Sequence, residues 1–447
     1  MNTPIFSKLK DKIDNREAKV GVMGLGYVGL PLAVELAKAG YHVYGFEVDR
    51  SRVQQLHAAD SYIVDVPTSE LEQVIKSGKF EPTTNFSALL QVDVLSICVP
   101  SPLTKSDEPD LSYLLAATEQ IKAYMHEGLL IILESTTYPG TTEELFEKEL
   151  AALDYRVGKD YFLCYSPERI DPGNKQYTIR NIPKVIGGTT PACVKLGASF
   201  YQRIIEKIIE VSSPKVAEMS KLLENVFRTV NIAFINEMAM LCEEMGVDVW
   251  EAIEAAGSKP FGYMPFTPGP GIGGHCLPLD PLYLSWKAKS VNFTSKFIEL
   301  AHEVNRSMPH YVCMKVCEVM SQMKGTIMGS RILLLGMAYK PDIDDVRESP
   351  SLDVYEQLRE MGAHVFFHDP HVQSFLDKHG TVVFSIPLNL EELYSYDCVL
   401  VLTRHKVLPY QEIAKNARQI IDTRNAFKGV RQPHIYRLGT GSGSIEC

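Results

Sequence analysis

No run in this chain approaches the eighteen or so apolar residues that a membrane span requires. Clustered lysines and arginines are missing as well, and the net charge is −10. Neither a membrane nor a nucleic acid is therefore expected as a partner, although a local basic pocket for phosphates stays open. Cys-x-x-Cys pairs are absent, and the nine cysteines, at 98, 164, 193, 242, 276, 313, 317, 398 and 447, are scattered and odd in number. That argues against a disulfide framework and a zinc site, so no metal is expected, and it favours a reducing, cytoplasmic setting. Cys313 and Cys317, four apart in a predicted helix, read as core thiols. The polar first twenty residues do not resemble a secretory leader. With 447 residues, 45% of them hydrophobic, the chain should form two or three globular domains.

What is present starts with Ala18–Met23, a buried-strand run that leads into Gly24-Leu-Gly26-Tyr27-Val28-Gly29. A helical stretch from Leu30 to Ala39 and a strand from His42 to Val48 follow. Strand, glycine turn, helix and strand together make this GxGxxG a dinucleotide-binding signal. The turn permits close approach of backbone to a pyrophosphate, and the helix start favours its charge. Glu47, at the end of the second strand, would accept both ribose hydroxyls and repel a 2′-phosphate, so the cofactor is read as NAD. Asp49 competes for that role. Core strands recur at Val92–Pro100, Leu129–Leu133 and from Phe162, placing Ser135, Thr136, Glu168 and Arg169 in post-strand segments where α/β sheets bind ligands.

From Pro214 to Met245 no strong breaker interrupts a helical pattern, and a second helix is expected around Trp250–Ala256. Lys221 and Asn225 share one face of the long helix, and Glu224 and Arg228 form a similar, solvated pair. Helical patterning from Ser285 to Met323 is broken only by Pro309. Between these stretches lies Phe266–Pro281, with four glycines and four prolines in sixteen residues. It reads as a rigid loop around a ligand, carrying His275, Cys276 and Asp280. Its cysteine suits either a nucleophile or a buried structural thiol. Gly325–Gly329 suggests a boundary, after which strands at Arg331, His364–His368, Cys398–Leu402 and Gln419–Ile421 indicate a second, smaller doubly wound domain without GxGxxG. Lys340, Arg347 and Arg424 fall in its loops and suit an anion. Leu438–Ser444 is expected to be disordered.

Taken together, Gly24–Gly29, Lys221-xxx-Asn225, Pro268–Asp280 and Gly336-x-Ala-x-Lys340 through Arg347-Glu-Ser-Pro350 resemble the UDP-glucose/GDP-mannose dehydrogenase family, across about residues 18 to 430. The fold expected is α/β, with two Rossmann-like doubly wound parallel-sheet domains joined by a long central helix. Its domains are placed at 1–205 (NAD-binding), 206–324 (central helical, with the catalytic loop) and 325–447 (UDP-sugar-binding). The resemblance implies NAD-dependent four-electron oxidation of a UDP-sugar at C6, through a thiohemiacetal and a thioester on Cys276. It assigns Lys221, Asn225, Asp280, Thr136 and Glu168 to catalysis beside Cys276. Cofactor contacts fall on Gly24, Gly26, Tyr27, Val28, Gly29, Glu47, Arg52, Pro100 and Thr136. Substrate contacts fall on Glu168, Arg169, Lys221, Asn225, Gly273, Lys340, Arg347 and Arg424.

A homodimer built on the long helix is implied too. Arg169 after Pro-Glu, Leu279 before Asp280 and the Gly-His-Cys form resemble the N-acetylhexosamine branch. The substrate order expected is UDP-N-acetylglucosamine, then UDP-N-acetylmannosamine, then UDP-glucose. Pro172 stands where some relatives carry a second acidic residue, which leaves water activation resting on Asp280. Two other classes compete. One is an NAD-retaining epimerase or dehydratase using Tyr-xxx-Lys, at Tyr155/Lys159, Tyr283/Lys287 or Tyr311/Lys315. The other is a sugar-nucleotide binder without catalysis.

Overall fold

Strands buried on both faces read as largely apolar runs, and Lys19–Met23 (β1) is such a run in the interior of an eight-stranded sheet. The computed structural model describes residues 3–63, 65–104, 108–171, 174, 176–323, 325–430 and 432–441. Its chain forms two units, Met1–Glu224 with Leu282–Asn292, and Asn225–Pro281 with Phe293–Cys447.

In the first unit β1 is followed by His42–Phe46 (β2), Phe80–Thr83 (β3), Val94–Ile97 (β4), Leu130–Leu133 (β5), Phe162–Tyr165 (β6), Lys184–Gly188 (β7) and Ile208–Val211 (β8). Their order across the sheet is β3-β2-β1-β4-β5-β6-β7-β8. The first six strands follow the doubly wound pattern, while β7 runs antiparallel to β6. Pairing of β8 with β7 carries the sheet past residue 205. One core packs Val20, Val22 and Val43 under the helix Gly29–Lys38, and Met23, Phe46 and Ile131 lie in the core of the other face. The returning segment Leu282–Asn292 completes a third cluster, in which buried Tyr283 joins Tyr138 and Leu222. The Tyr283 hydroxyl donates to the Pro102 carbonyl at 3.0 Å.

The second unit holds Arg331–Leu335 (β9), His364–His368 (β10), Ser374–Leu376 (β11), Val382–Phe384 (β12), Cys398–Val401 (β13), Ile420–Asp422 (β14) and Ile435–Arg437 (β15). Five of them form a parallel sheet in the order β10-β9-β13-β14-β15, and β11 and β12 make a separate hairpin. The helix Lys296–Gln322 shares its core with that sheet through Val312, Val316 and Ile332.

Two sequence expectations need correction. The helical stretch is not broken at Pro309, which lies inside the continuous helix Lys296–Gln322; the break falls between Lys289 and Lys296 instead. Proline has no N–H for the Asn305 carbonyl four residues back, and Gly271 packs against that carbonyl, where a Cβ would stand only 3.1 Å away. The tail is ordered through Gly441. Leu438 is fully buried, its carbonyl accepts from Trp250 Nε1 at 2.8 Å, and Gly439 N–H donates to Glu243 at 3.2 Å. A small-residue composition suggested flexibility, but Leu438 is anchored and its neighbours' backbone groups are paired. Residues 442–444 of that stretch, like Pro172, lie outside the described residues. Among the described residues no helix is long and apolar enough to cross a membrane.

Candidate active site

In the first unit the glycine turn closes as its sequence requires. Gly24 has φ +89°, its N–H donates to the Phe46 carbonyl at 2.9 Å, and a Cβ there would stand 2.7 Å from the Cys98 oxygen. The helix Gly29–Lys38 starts with no side-chain cap, and the positive end of a helix favours an anion. Glu47 is buried beside this turn and accepts the Leu25 N–H at 3.3 Å. Asp49 caps the next helix, accepting the Ser51 N–H at 2.8 Å. Arg52 lies over the Tyr62 ring and 3.7 Å from Glu47. Tyr27 and Val28 complete the turn. Pro100 and the half-buried Thr136 follow β4 and β5 at their carboxyl ends. These residues fit NAD, with a donor-rich helix start for the pyrophosphate and a carboxylate for the ribose.

Lys221, on the long helix Pro214–Met245, is buried rather than part of a surface stripe, and its Nζ donates to the Glu168 carbonyl at 2.7 Å. The Glu168 carboxylate accepts the N–H groups of Arg169 and Ile170, both at 2.6 Å. Arg169 pairs with Glu224 at 2.8 Å, so Glu224 has a partner other than the expected Arg228. Sequence reasoning missed the charged group behind these residues. Lys184 is buried at 2.7 Å from Glu134 and 3.5 Å from Glu168, and the Tyr201 hydroxyl donates to Glu134 at 2.5 Å. Burial alone would push the Lys184 ammonium down, but the two carboxylates outweigh it and hold it above its ordinary value. A lysine opening the apolar run Lys184–Gly188 was the available signal.

In the second unit the cysteine loop lies on a polar face of the same helix. Asn225 Nδ2 donates to Asp280 Oδ2 at 2.5 Å, and both side chains are buried. Cys276 is exposed, and its carbonyl accepts the Asp280 N–H at 2.9 Å where the helix Asp280–Lys289 begins. Gly273 and Gly274 allow close packing: a Cβ on either would meet the Tyr339 side chain at 2.7 Å. Gly274 N–H donates to the Arg347 carbonyl at 3.1 Å. The His275 ring is crowded despite an exposed edge, and desolvation followed by Arg347 lowers its imidazole from the ordinary value.

The second sheet brings its cations to the same loop. Arg424, after β14, lies against Gly269 and donates from Nε to the Leu402 carbonyl at 2.9 Å. Burial, only partly offset by Asp422, brings its guanidinium down to about 10. A desolvated cation gains strongly from an anionic ligand. Arg347 is held on Asp345, with NH2 donating at 2.6 Å, and Lys340 is half-buried earlier in the same loop. Asp342, His371 and His405 lie within 4.8 Å of one another. The buried His405 ring is already used, however, accepting from Asp342 N–H at 3.0 Å and facing Asp369 at 3.1 Å.

Two doubly wound sheets, of which the first offers a dinucleotide turn and the second offers cations, describe an NAD-dependent dehydrogenase for an anionic substrate. Comparison with known proteins makes that class specific. Models of the UDP-glucose/GDP-mannose dehydrogenase family match the NAD binding domain at residues 18–205, the central domain at 215–307 and the UDP binding domain at 333–429. The chain belongs to this family of NAD-dependent UDP-sugar dehydrogenases. It is 35% identical over 394 residues to the UDP-N-acetyl-D-glucosamine 6-dehydrogenase of Pseudomonas aeruginosa, covering 87% of this chain and 91% of that one. It is 34% identical to the UDP-N-acetyl-D-mannosamine dehydrogenase of Pyrococcus horikoshii, over 96% of this chain and all of the relative. A solved structure of UDP-D-ManNAc dehydrogenase from Pyrococcus horikoshii superposes with a TM-score of 0.86 at 32% identity, covering 94% and 99% of the two chains.

Proposed function

We propose that the chain oxidises C6 of UDP-N-acetylglucosamine from alcohol to carboxylate, with Cys276 as the nucleophile. The observation that carries this reading is an exposed Cys276 at a helix start, one turn from an Asp280 that Asn225 fixes at 2.5 Å. When bound, NAD would supply the oxidant for both two-electron oxidations at C6. Between them the Cys276 thiol gives up its proton as its sulfur bonds to the aldehyde carbon, and that proton ends on the new alkoxide to give a thiohemiacetal. Oxidation of that adduct leaves a thioester, and water releases the carboxylic acid while the thiol regains its proton. Lys221 stabilises the oxyanion, an effect worth about 10²–10³ in rate. Asp280 and Asn225 hold the water, and Thr136 and Glu168 assist. Arg424, Arg347 and Lys340 take the diphosphate, and Arg169 and Gly273 line the sugar. Gly24 to Gly29, Glu47, Arg52 and Pro100 hold the cofactor.

The UDP-N-acetylmannosamine reading is favoured by the relative that matches along its full length. A homodimer is supported by exposed Phe227, Phe234 and Leu241, which recur every seven residues along the long helix. Scattered cysteines support a cytoplasmic location. The Tyr-xxx-Lys alternative gains nothing from Tyr283, which is buried with its hydroxyl on Pro102.

NADH formed per sugar consumed tests the proposal, with UDP-N-acetylglucosamine, UDP-N-acetylmannosamine and UDP-glucose offered separately. Two NADH from the first, and loss of about 10⁴-fold in rate with Cys276→Ser, are expected. A Cys276→Ser enzyme that still makes two NADH would remove the nucleophile. Preference for either other sugar would move the substrate.

A further inference from the structure

An irregular loop has backbone polar groups that no regular structure satisfies, so their partners show what holds it. Around the cysteine loop these partners form one continuous chain within the second unit. Gly269 N–H donates to Asn236 Oδ1 at 3.0 Å, and Asn236 Nδ2 donates to Asn305 Oδ1 at 3.0 Å. Asn305 Nδ2 donates to the Thr229 carbonyl at 3.1 Å, and the Thr229 hydroxyl donates to the Leu277 carbonyl at 3.0 Å. The chain enters the loop at Gly269 and returns at Leu277, beside Cys276. Thr229, Asn236 and Asn305 are 3%, 0% and 3% exposed.

We infer that Thr229, Asn236 and Asn305 are positioning residues that set where the Cys276 thiol stands. Each amide uses its oxygen as acceptor and its nitrogen as donor, so turning either one over would set like groups against each other. Thr229 lies one helical turn beyond Asn225. Adjacent rungs of the long helix thus fix Leu277 through its carbonyl and Asp280 through its carboxylate. Just before the first anchor, the Cys276 carbonyl accepts the N–H groups of Leu279 and Asp280 at 3.3 and 2.9 Å. A helical threonine hydroxyl commonly bonds back to the carbonyl four residues earlier; here it is spent on the loop. Buried neutral amides tolerate few arrangements, because an unmade bond is more costly than a made one is stabilising. The clamp therefore selects a single loop position, and a displacement near 1 Å at a reacting atom costs about 10²-fold in rate.

This inference rests on the reading of Cys276 as the nucleophile, and its test separates the two. In Thr229→Val the hydroxyl is lost at constant shape, and Thr229→Ser retains it. Loss of the clamp slows capture of the aldehyde more than the first oxidation. Thr229→Val is then expected to lower kcat by about 10–100-fold and to drop the yield below two NADH per sugar, with aldehyde trapped by semicarbazide. KM for NAD should not change, and Thr229→Ser should recover both quantities. A purely structural role would reduce the folded fraction and leave the ratio at two, which overturns the inference. Should Thr229→Val fail to fold, Asn236→Leu with Asn305→Leu carries the same test. If the wild-type chain makes no NADH at all, the functional reading fails. The rate of Cys276 alkylation by iodoacetamide, followed by mass, then decides: a several-fold change in Thr229→Val restored by Thr229→Ser supports the clamp, and equal rates overturn it.

Discussion

The two sheets close their first turn in the same way and use it differently. Gly24 after β1 and Gly336 after β9 have φ of +89° and +88°. Their N–H groups donate to the last carbonyls of β2 and β10, at 2.9 and 3.0 Å. An acidic residue follows each of those strands, Glu47 in the first unit and Asp369 in the second. There the likeness ends. Glu47 accepts N–H groups from Leu25, Val48 and Asp49 and has Arg52 as a more distant ion partner. Asp369 is saturated, with N–H groups from Met337, Ala338, His371 and Val372 and the His405 ring all on its two oxygens. The first helix begins five residues after Gly24, whereas the second begins only at Pro350. One turn keeps a helix start and a carboxylate for a ligand. In its counterpart the carboxylate fastens a long loop that carries Lys340 and Arg347, the cations proposed above for the diphosphate.

Placing a methyl group on each glycine should break this comparison most severely. A Cβ at Gly336 would lie 2.5 Å from the Thr403 carbonyl, as one at Gly24 would lie 2.7 Å from that of Cys98. Gly24→Ala and Gly336→Ala should each destabilise by about 1–3 kcal/mol or more. Only Gly24→Ala should also abolish NAD binding, measured by calorimetry; equal losses in both variants would mean that the second turn contacts the cofactor too.

Next in size is the acidic pair. Glu47→Gln should raise KM for NAD about 10–100-fold, the worth of charge-assisted bonds to a ribose, with Tm nearly unchanged. Asp369→Asn should do the reverse, destabilising by about 3 kcal/mol without moving KM for NAD. Burial opposes ionisation of Asp369, but His405 and the surrounding N–H groups hold its carboxyl far below 3.8. A depressed carboxyl contributes stability that is fully present above its unfolded value and lost as pH falls below it. Acid unfolding of the wild type below about pH 4 should therefore be less steep in Asp369→Asn, and an unchanged acid limb would remove Asp369 from this role. The smallest effect belongs to Asp49→Ala, which loses a helix cap. A modest drop in Tm with KM for NAD intact would separate it from Glu47.

Much of this was legible in the sequence, where local chemistry decides structure. Gly24 to Gly29 between a strand and a helix, and Pro214 to Met245 without a breaker, needed no tertiary information. Membership of the family was carried by four motifs whose order no single fold element dictates. Short or amphipathic strands such as β7, β8 and β15 were not anticipated, because their pairing depends on neighbours far along the chain. Pro309 misled, since tertiary packing overrides its tendency to end a helix. The clamp of Thr229, Asn236 and Asn305 was invisible for a related reason. Asparagine and threonine on a helix read as a solvated face, and only a loop folded over them makes them interior. Lys184 and Glu134, fifty residues apart, become partners only when β5 and β7 enter one sheet.

The return of Leu282–Asn292 to the first unit has a consequence for the order in which the protein is made. Tyr283 closes the cluster of Tyr138 and Leu222, yet it leaves the ribosome after the whole cysteine loop has been synthesised. A nascent chain ending before it exposes an apolar seam on an otherwise complete eight-stranded sheet. The first unit cannot reach its final form as an independent N-terminal piece, and its completion during synthesis waits until translation is well past the midpoint of the 447 residues.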